Sequence, residues 1–213
     1  MIMIKRLPVT VFLIIESALY AWFMQRDLYS SGESAYIKFA SVAVCLAFSA
    51  YLSAKGGDRI ITAALGFTLA ADVFLLIVDS YYEIGIALFC VAQLLYFVRI
   101  YRANGKRSAW LLRLLLINAA LRGLALARYF TALTVLAAVY FTSLVCNAVQ
   151  SVGIKNRRFT AGLLLLVCCD LCVGIHNAPE LFSTSAQSLA AVGMWFFYLP
   201  SQVLITLSGR TKI

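Results

Sequence analysis

Long apolar runs and short polar segments alternate along the whole chain. Eight apolar runs can be distinguished: Leu7 to Gln25, Ala35 to Ala54, Ile60 to Val78, Ile84 to Ile100, Ala109 to Ala127, Tyr129 to Gln150, Thr160 to Ile175 and Leu189 to Leu207. A helix needs about 20 apolar residues to cross a ~30 Å hydrocarbon core. The pattern therefore predicts eight membrane-spanning helices. The fifth run is the least regular, because Arg113 and Arg122 interrupt it, each within reach of a membrane surface.

The composition agrees with this pattern and narrows the class of protein. The 213 residues are 63% hydrophobic, their mean hydropathy is +0.91, and 13% are charged, against about 25% charged residues in a soluble domain. We therefore expect an all-α membrane protein, a single polytopic domain over residues 1–213 with no soluble domain. The first run can span the membrane and is not followed by a small-residue cleavage site, so we expect a retained helix rather than a signal peptide.

The net charge of +9 is compatible with nucleic acid binding or with membrane orientation. Lysines and arginines occupy the short segments between apolar runs, which is typical of a membrane protein and argues against a nucleic acid partner. Most of the 18 basic residues, including Lys5, Lys106, Arg107 and Lys212, fall on the side of the predicted bundle that holds the N-terminus. The positive-inside rule then predicts cytosolic termini. The loop-poor build favours a cell membrane, in particular a bacterial cytoplasmic membrane.

Two of the apolar runs each contain one aspartate in their interior. Asp72 follows Thr62 by ten residues in the third run, and Asp170 follows Thr160 by ten residues in the seventh. A charge at membrane depth costs several kcal/mol, so such residues are rare and are usually functional. The two aspartates are therefore the principal candidates for site residues.

The third and fourth runs resemble the seventh and eighth. In addition to the Thr–Asp spacing, the pair Phe89 and Gln93 in the fourth run matches Tyr198 and Gln202 in the eighth. This similarity predicts two parallel four-helix halves, related by an axis along the membrane normal, with a site at their interface. Shared apolar composition alone is the alternative explanation.

The positions of the aspartates within their runs also predict a path to the surface. Asp79 and Asn177 each lie seven residues beyond one of the aspartates, which is close to two helical turns. We therefore predict two polar stripes that lead inward from the outer surface to carboxylates at equal depth.

Two neighbouring carboxylates in a low dielectric cannot both be ionised cheaply, so such a pair is expected to hold a proton and to place an acid beside a base. Glycosidases use two carboxylates to protonate a substrate and to add water to an oxocarbenium-like centre. A membrane enzyme would direct that chemistry at a lipid. The alternative is that Asp72 and Asp170 accept hydrogen bonds from neighbouring helices and only stabilise the packing.

Four further polar residues in apolar runs have two possible roles each. Lys38 either snorkels to the interface or binds an anionic head group. Gln93 and Gln202 either join helices or contact a substrate. Glu16 is a third buried carboxylate, which serves a proton path or pairs with Lys38 or Arg113.

The cysteines and the single histidine do not favour a metal site. All six cysteines lie inside apolar runs, where they behave as small hydrophobic residues rather than as a disulfide framework. Cys169 and Cys172 have CxxC spacing, but His176, near a helix end, is the only histidine, so a Cys/His site lacks ligands.

At these residues the chain resembles the YhhN family, the lysoplasmalogenase-like membrane proteins. The resemblance is carried by Tyr36-Ile37-Lys38, Leu65 to Leu76, Gly85 to Tyr96, Val139-Tyr140, Gly162 to Asp170 and Tyr198 to Ile205. The chain departs from the family pattern at Gln93, where many members have a histidine, and at Cys169, where Ser or Gly is usual.

Members of the family that act as lysoplasmalogenases cleave the vinyl ether of a lysoplasmalogen to a fatty aldehyde and a glycerophospho head group. The resemblance implies this activity here. One of the two aspartates, Asp72 or Asp170, would then be the acid and the other the base, and hydrolysis needs no metal or organic cofactor. Lys38 would then hold the phosphate of the lysophospholipid. The implied substrate-binding residues are Lys38, Gln93, Tyr140, Tyr198 and Gln202.

A small proton- or cation-coupled transporter is the main alternative, because midplane carboxylates also bind protons or cations. Such a protein favours helices broken by Gly or Pro at the depth of the site, and Pro200 is the one residue that suggests a break. A metal-dependent intramembrane hydrolase is a third possibility, but it requires several histidines on its helices.

Overall fold

The computed structural model describes residues 6–29, 34–104 and 109–210, and this part of the chain contains helices and no strands. The helices are α1 (Arg6–Leu28), α2 (Ala35–Ala54), α3 (Arg59–Asp72, continued by a π-helical segment, Val73–Ile77), α4 (Tyr82–Ala103), α5 (Trp110–Leu126), α6 (Ala132–Ser151), α7 (Arg157–His176) and α8 (Thr184–Ser208). The predicted all-α fold is confirmed, and each predicted run corresponds to one helix.

Seven of the helices are long and apolar enough to cross a membrane, as expected for a multi-pass membrane protein. The exception is α5, whose 17 residues span about 25 Å at 1.5 Å per residue, less than the hydrocarbon core. The cytosolic termini and the two parallel halves stay predictions. Four of the basic residues behind the predicted orientation, Lys5, Lys106, Arg107 and Lys212, lie outside the described residues.

The core of the bundle is formed by α2, α3, α4, α6, α7 and α8. Their apolar side chains meet in one cluster around Leu65, Tyr96 and Leu163. Helix α1 packs outside this cluster, against α2 and α8. The backbone of α5 approaches α6 alone among the described helices, and none of its residues is fully buried. Helix α5 is therefore the most peripheral element described.

Glycines allow α7 and α8 to approach each other closely. A Cβ atom at Gly162 would lie 2.7 Å from Ile205 Cγ1 and 3.1 Å from the carbonyl oxygen of Ser201. On the facing helix, a Cβ atom at Gly193 would lie 2.9 Å from Cys172 Sγ. This close packing brings the residues around the centre of α7 next to α8.

A buried arginine joins the ends of four helices. Arg99, near the end of α4, is 1% exposed; its Nε donates to Asp58 Oδ2 at 2.7 Å, and its Nη2 donates to the carbonyl oxygen of Ser208 at 3.0 Å. The guanidinium also lies 4.3 Å from the ring centroid of Phe159. Asn156 Nδ2 donates to the same Ser208 carbonyl at 3.1 Å. We call these five residues the Arg99 clamp; it ties together the starts of α3 and α7 and the ends of α4 and α8.

The predicted polar stripe from Asp72 to Asp79 is wrong at its outer end. The π-helical segment that follows Asp72 widens the turn, so the seven-residue α-helical spacing to Asp79 no longer applies. Asp79 lies beyond the helix with φ 49°, and its Oδ1 accepts from the Tyr82 hydroxyl at 2.8 Å. Asn177 donates to the carbonyl oxygen of Val173 at 2.9 Å. Asp79 thus bonds to the first residue of α4 instead of lining a path, and the stripe from Asp170 to Asn177 stays a prediction.

We predict that Gly162→Val destabilises the protein by about 1–3 kcal/mol, because the added methyl groups overpack the α7–α8 contact. Unfolding of the detergent-solubilised protein by heat or by sodium dodecyl sulfate measures the change. Gly174→Val on the same helix is the matched control, since a Cβ atom there meets nothing within 4 Å. Equal destabilisation by the two substitutions would contradict the assignment of a close contact at Gly162.

Candidate functional site

Asp72 lies at the end of the α-helical part of α3, where it is buried with 4% of its surface exposed. The Tyr198 hydroxyl, from α8, contacts both carboxylate oxygens, at 3.0 Å to Oδ1 and 2.8 Å to Oδ2. The ring of Tyr198 packs edge-on against Trp195, with centroids 5.5 Å apart. The carboxylate is therefore held by one hydroxyl donor whose ring is itself fixed by packing.

Asp170 lies on α7 and is partly buried. The Tyr140 hydroxyl of α6 and the Cys169 thiol are its polar neighbours. Its Oδ2 atom is enclosed and has no hydrogen-bond partner among the described residues. An enclosed carboxyl oxygen without a partner is unfavourable, so this atom is available to carry a proton or to contact a ligand.

The two aspartates have electrostatic neighbours in common. Cys169, which is buried, interacts electrostatically with both Asp72 and Asp170. Tyr198 likewise interacts with Cys169 and with Tyr140. No hydrogen bond joins the two carboxylates in the described part of the chain. Each carboxyl group thus has its own tyrosine, and both are near enough to Cys169 to interact with it electrostatically.

Lys38 joins this cluster from the side of Asp72. Its Nζ lies 2.7 Å from Asp27 Oδ2 and 4.2 Å from the centroid of the Trp195 ring, which packs on Tyr198. The side chain is buried, so the simple snorkelling interpretation is wrong. Asp27 balances the charge of the ammonium group, and the aromatic ring covers it.

The two glutamines are buried but do not bond to the aspartates. Gln93 Oε1 accepts from Asn147 Nδ2 at 2.9 Å, and Asn147 Oδ1 accepts from Arg113 Nη2 at 2.7 Å. Gln202 Nε2 donates to Ser201 Oγ at 3.4 Å. Gln93 Nε2 and Gln202 Oε1 are enclosed without a partner among the described residues. Gln93 therefore joins helices, and substrate contact by either amide stays a prediction.

Glu16 forms a separate polar contact between α1 and α2. The Ser41 hydroxyl donates to Glu16 Oε2, and Cys45 Sγ lies 3.3 Å from Oε1. The expected pairing of Glu16 with Lys38 or Arg113 is therefore wrong, because neighbouring groups of α2 satisfy the carboxylate instead. A proton path through Glu16 stays a prediction.

Three contributors to the site were missed in the sequence. Trp195 precedes Tyr198 by three residues, and this helical spacing was a usable signal for their contact. The position of Cys169 next to Asp170 was visible, but its electrostatic interaction with Asp72 depends on tertiary packing. Asp27 pairs with Lys38 across two helices, and no local pattern indicates that pair.

We predict that the contact between Tyr198 and Asp72 has a coupling energy of about 1–3 kcal/mol, because removing the hydroxyl leaves a buried acceptor unsatisfied. A double-mutant cycle of Tyr198→Phe with Asp72→Leu, followed by unfolding in detergent, measures it. Tyr140→Phe with Asp72→Leu is the matched control pair and is expected to be nearly additive. Additivity in the first pair would show that the contact adds nothing to stability.

Comparison with known proteins gives one match for this chain. Residues 33–209 match the YhhN family. That segment covers both aspartates, both tyrosines, Lys38 and both glutamines. No curated protein and no solved structure matches the chain.

Proposed function

Because the chain belongs to the YhhN family, we propose that it is an intramembrane hydrolase of lysoplasmalogens. The substrate would be a 1-alkenyl-glycerophospholipid, cleaved at its vinyl ether bond to a fatty aldehyde and a glycerophospho head group. The observation that carries the proposal is the pair of aspartates at membrane depth, each beside a tyrosine and both interacting with Cys169. Carboxyl groups at that depth are costly, so a catalytic role explains why there are two.

The different surroundings of the two aspartates support different roles. Asp72 faces the Tyr198 hydroxyl with both oxygens, which suits an ionised carboxylate that accepts hydrogen bonds. Asp170 has an enclosed oxygen without a partner, which suits a neutral carboxylic acid whose proton is directed at a substrate. We therefore assign Asp170 as the general acid and Asp72 as the general base.

The proposed reaction returns both aspartates to their starting protonation states. Asp170 gives its proton to the β-carbon of the vinyl ether, and an oxocarbenium ion forms at the ether-bearing carbon. Asp72 stabilises this cation and removes a proton from the water that attacks it, giving a hemiacetal. The carbon–oxygen bond to glycerol then breaks. The hemiacetal hydroxyl returns a proton to Asp170, and Asp72 protonates the departing alcohol oxygen, which restores both groups.

Lys38 is the proposed partner of the substrate phosphate. Its ammonium group lies over the Trp195 ring. That ring packs against Tyr198, which is hydrogen-bonded to Asp72. A phosphate would share the ammonium with Asp27, which lies 2.7 Å from it in the described structure. The apolar surfaces of the bundle would take the alkenyl chain. Gln93, Tyr140, Tyr198 and Gln202 are proposed as further substrate contacts.

The transporter alternative receives less support from the helices. It favours a helix broken near the site, and Pro200 was the residue that suggested one. Helix α8 continues without interruption from Thr184 to Ser208, through Pro200. The nearest irregularity is the π-helical segment after Asp72.

We predict that Asp72→Asn and Asp170→Asn each lower the release of aldehyde from a 1-alkenyl lysophospholipid by at least about 100-fold, the usual contribution of a general acid or base. The assay uses purified full-length protein in detergent, with folding checked by monodispersity and helical content. Asp79→Asn is the matched control, since Asp79 is exposed and contacts Tyr82 rather than the cluster. Full activity in both aspartate variants would remove the acid–base assignment.

The same samples distinguish the two functional classes. Absence of aldehyde from well-folded wild-type protein with several head groups, together with proton or cation flux in vesicles, would favour the transporter. Aldehyde release without flux supports the hydrolase.

We predict that Lys38→Met raises KM for a lysophospholipid substrate about tenfold or more and changes kcat much less, because the lysine contacts the non-reacting phosphate. Lys55→Met is the matched control, since Lys55 is exposed at the other end of the same helix. A fall in kcat with unchanged KM would instead place Lys38 near the reacting atoms.

A further inference from the structure

A lateral groove of about 310 Å³ lies between α4, α5 and α6. It exists because the backbone of α5 approaches α6 and leaves a gap to α4. From α4 it is lined by Cys90, Leu94 and Phe97, which share one helix face by their spacing of four and three residues. Val139 and Ser143 line it from α6. The groove is therefore mainly apolar and is open at the outside of the bundle.

Among the described residues that line the groove, Arg113 of α5 is the one with a charge. Its guanidinium lies 4.4 Å from the centroid of the Phe97 ring, and its Nη2 donates to Asn147 Oδ1 at 2.7 Å. Its Nε is enclosed and has no hydrogen-bond partner among the described residues, and none of the described carboxylates forms an ion pair with it. A partly buried guanidinium with an enclosed, unused Nε donor favours an oxyanion such as a phosphate.

The groove has a polar end and an apolar end. Arg113 lies about 4.5 Å along the helix axis from Trp110, the first residue of α5, which is close to the depth of lipid head groups. The apolar stripe on α4 from Phe97 to Cys90 extends about 10 Å deeper. A phosphate at one end and a hydrocarbon stripe at the other match the chemistry of a phospholipid.

We propose that this groove binds a membrane phospholipid, with its phosphate on the Arg113 guanidinium and one acyl chain along α4 and α6. The groove contains none of the aspartates, so the bound lipid is not cleaved there. The lipid occupies the gap between α4 and α5, which the protein alone leaves unfilled. The proposal does not depend on the hydrolase activity.

Native mass spectrometry of the delipidated full-length protein, titrated with phosphatidylglycerol, tests the site. We expect one tightly bound lipid per wild-type chain and at least fivefold weaker binding in Arg113→Gln. Arg122→Gln on the same helix is the matched control, because Arg122 is exposed and does not line the groove. It is expected to bind as the wild type does.

Because Arg113 also bonds to Asn147, a second variant separates lipid binding from folding. Leu94→Trp fills the groove and leaves the Arg113–Asn147 bond in place; it is expected to lower phosphatidylglycerol binding as strongly as Arg113→Gln does. Inorganic phosphate at equal concentration and uncharged diacylglycerol are expected not to displace the lipid. The proposal is overturned if the wild type binds no phosphatidylglycerol, if both groove variants bind it normally, or if either competitor displaces it.

Discussion

Polar groups at membrane depth require partners from the protein itself, and the arrangement of this bundle follows from that constraint. In a hydrocarbon environment no water replaces a missing hydrogen bond. Asp72 is accordingly held by Tyr198, Glu16 by groups of α2, and Lys38 by Asp27. Each of these contacts joins two helices and adds a specific polar contact to their apolar packing. Enclosed polar atoms without a partner among the described residues, such as Asp170 Oδ2, are therefore exceptions that suggest a functional role.

The close contact of α7 with α8 and the loose attachment of α5 divide the bundle into two zones. Where Gly162 faces Ile205, the helices are near enough for the central residues of α7 to reach the side chains of α8. Around α5, by contrast, the backbone approaches a single neighbour. The closely packed part thus carries Asp170 and Tyr198, and α5 lies at the periphery of the bundle.

The helices could be predicted from the sequence because apolar runs of membrane-spanning length are an unambiguous pattern, and Ala35–Ala54 even has the predicted bounds. Asp72 and Asp170 were also recognisable, since a carboxylate inside such a run is rare. The contacts that the candidate site residues make were harder to predict from the sequence. The pairing of Lys38 with Asp27 depends on how α1 and α2 are placed. The π-helical segment changes the helical register after Asp72, and its sequence contains no proline or glycine that would have indicated this. For this reason the predicted stripe from Asp72 to Asp79 is wrong.

The Arg99 clamp has a geometric consequence for the two aspartates. Asp58 caps the start of α3 and Asn156 caps the start of α7, and both residues belong to the clamp. Asp72 lies as many residues after the first residue of α3 as Asp170 lies after the first residue of α7. From these two caps, α3 and α7 therefore reach the aspartates over the same length, about 20 Å. The position of each carboxyl group along its helix is thus counted from capping residues that contact neither aspartate.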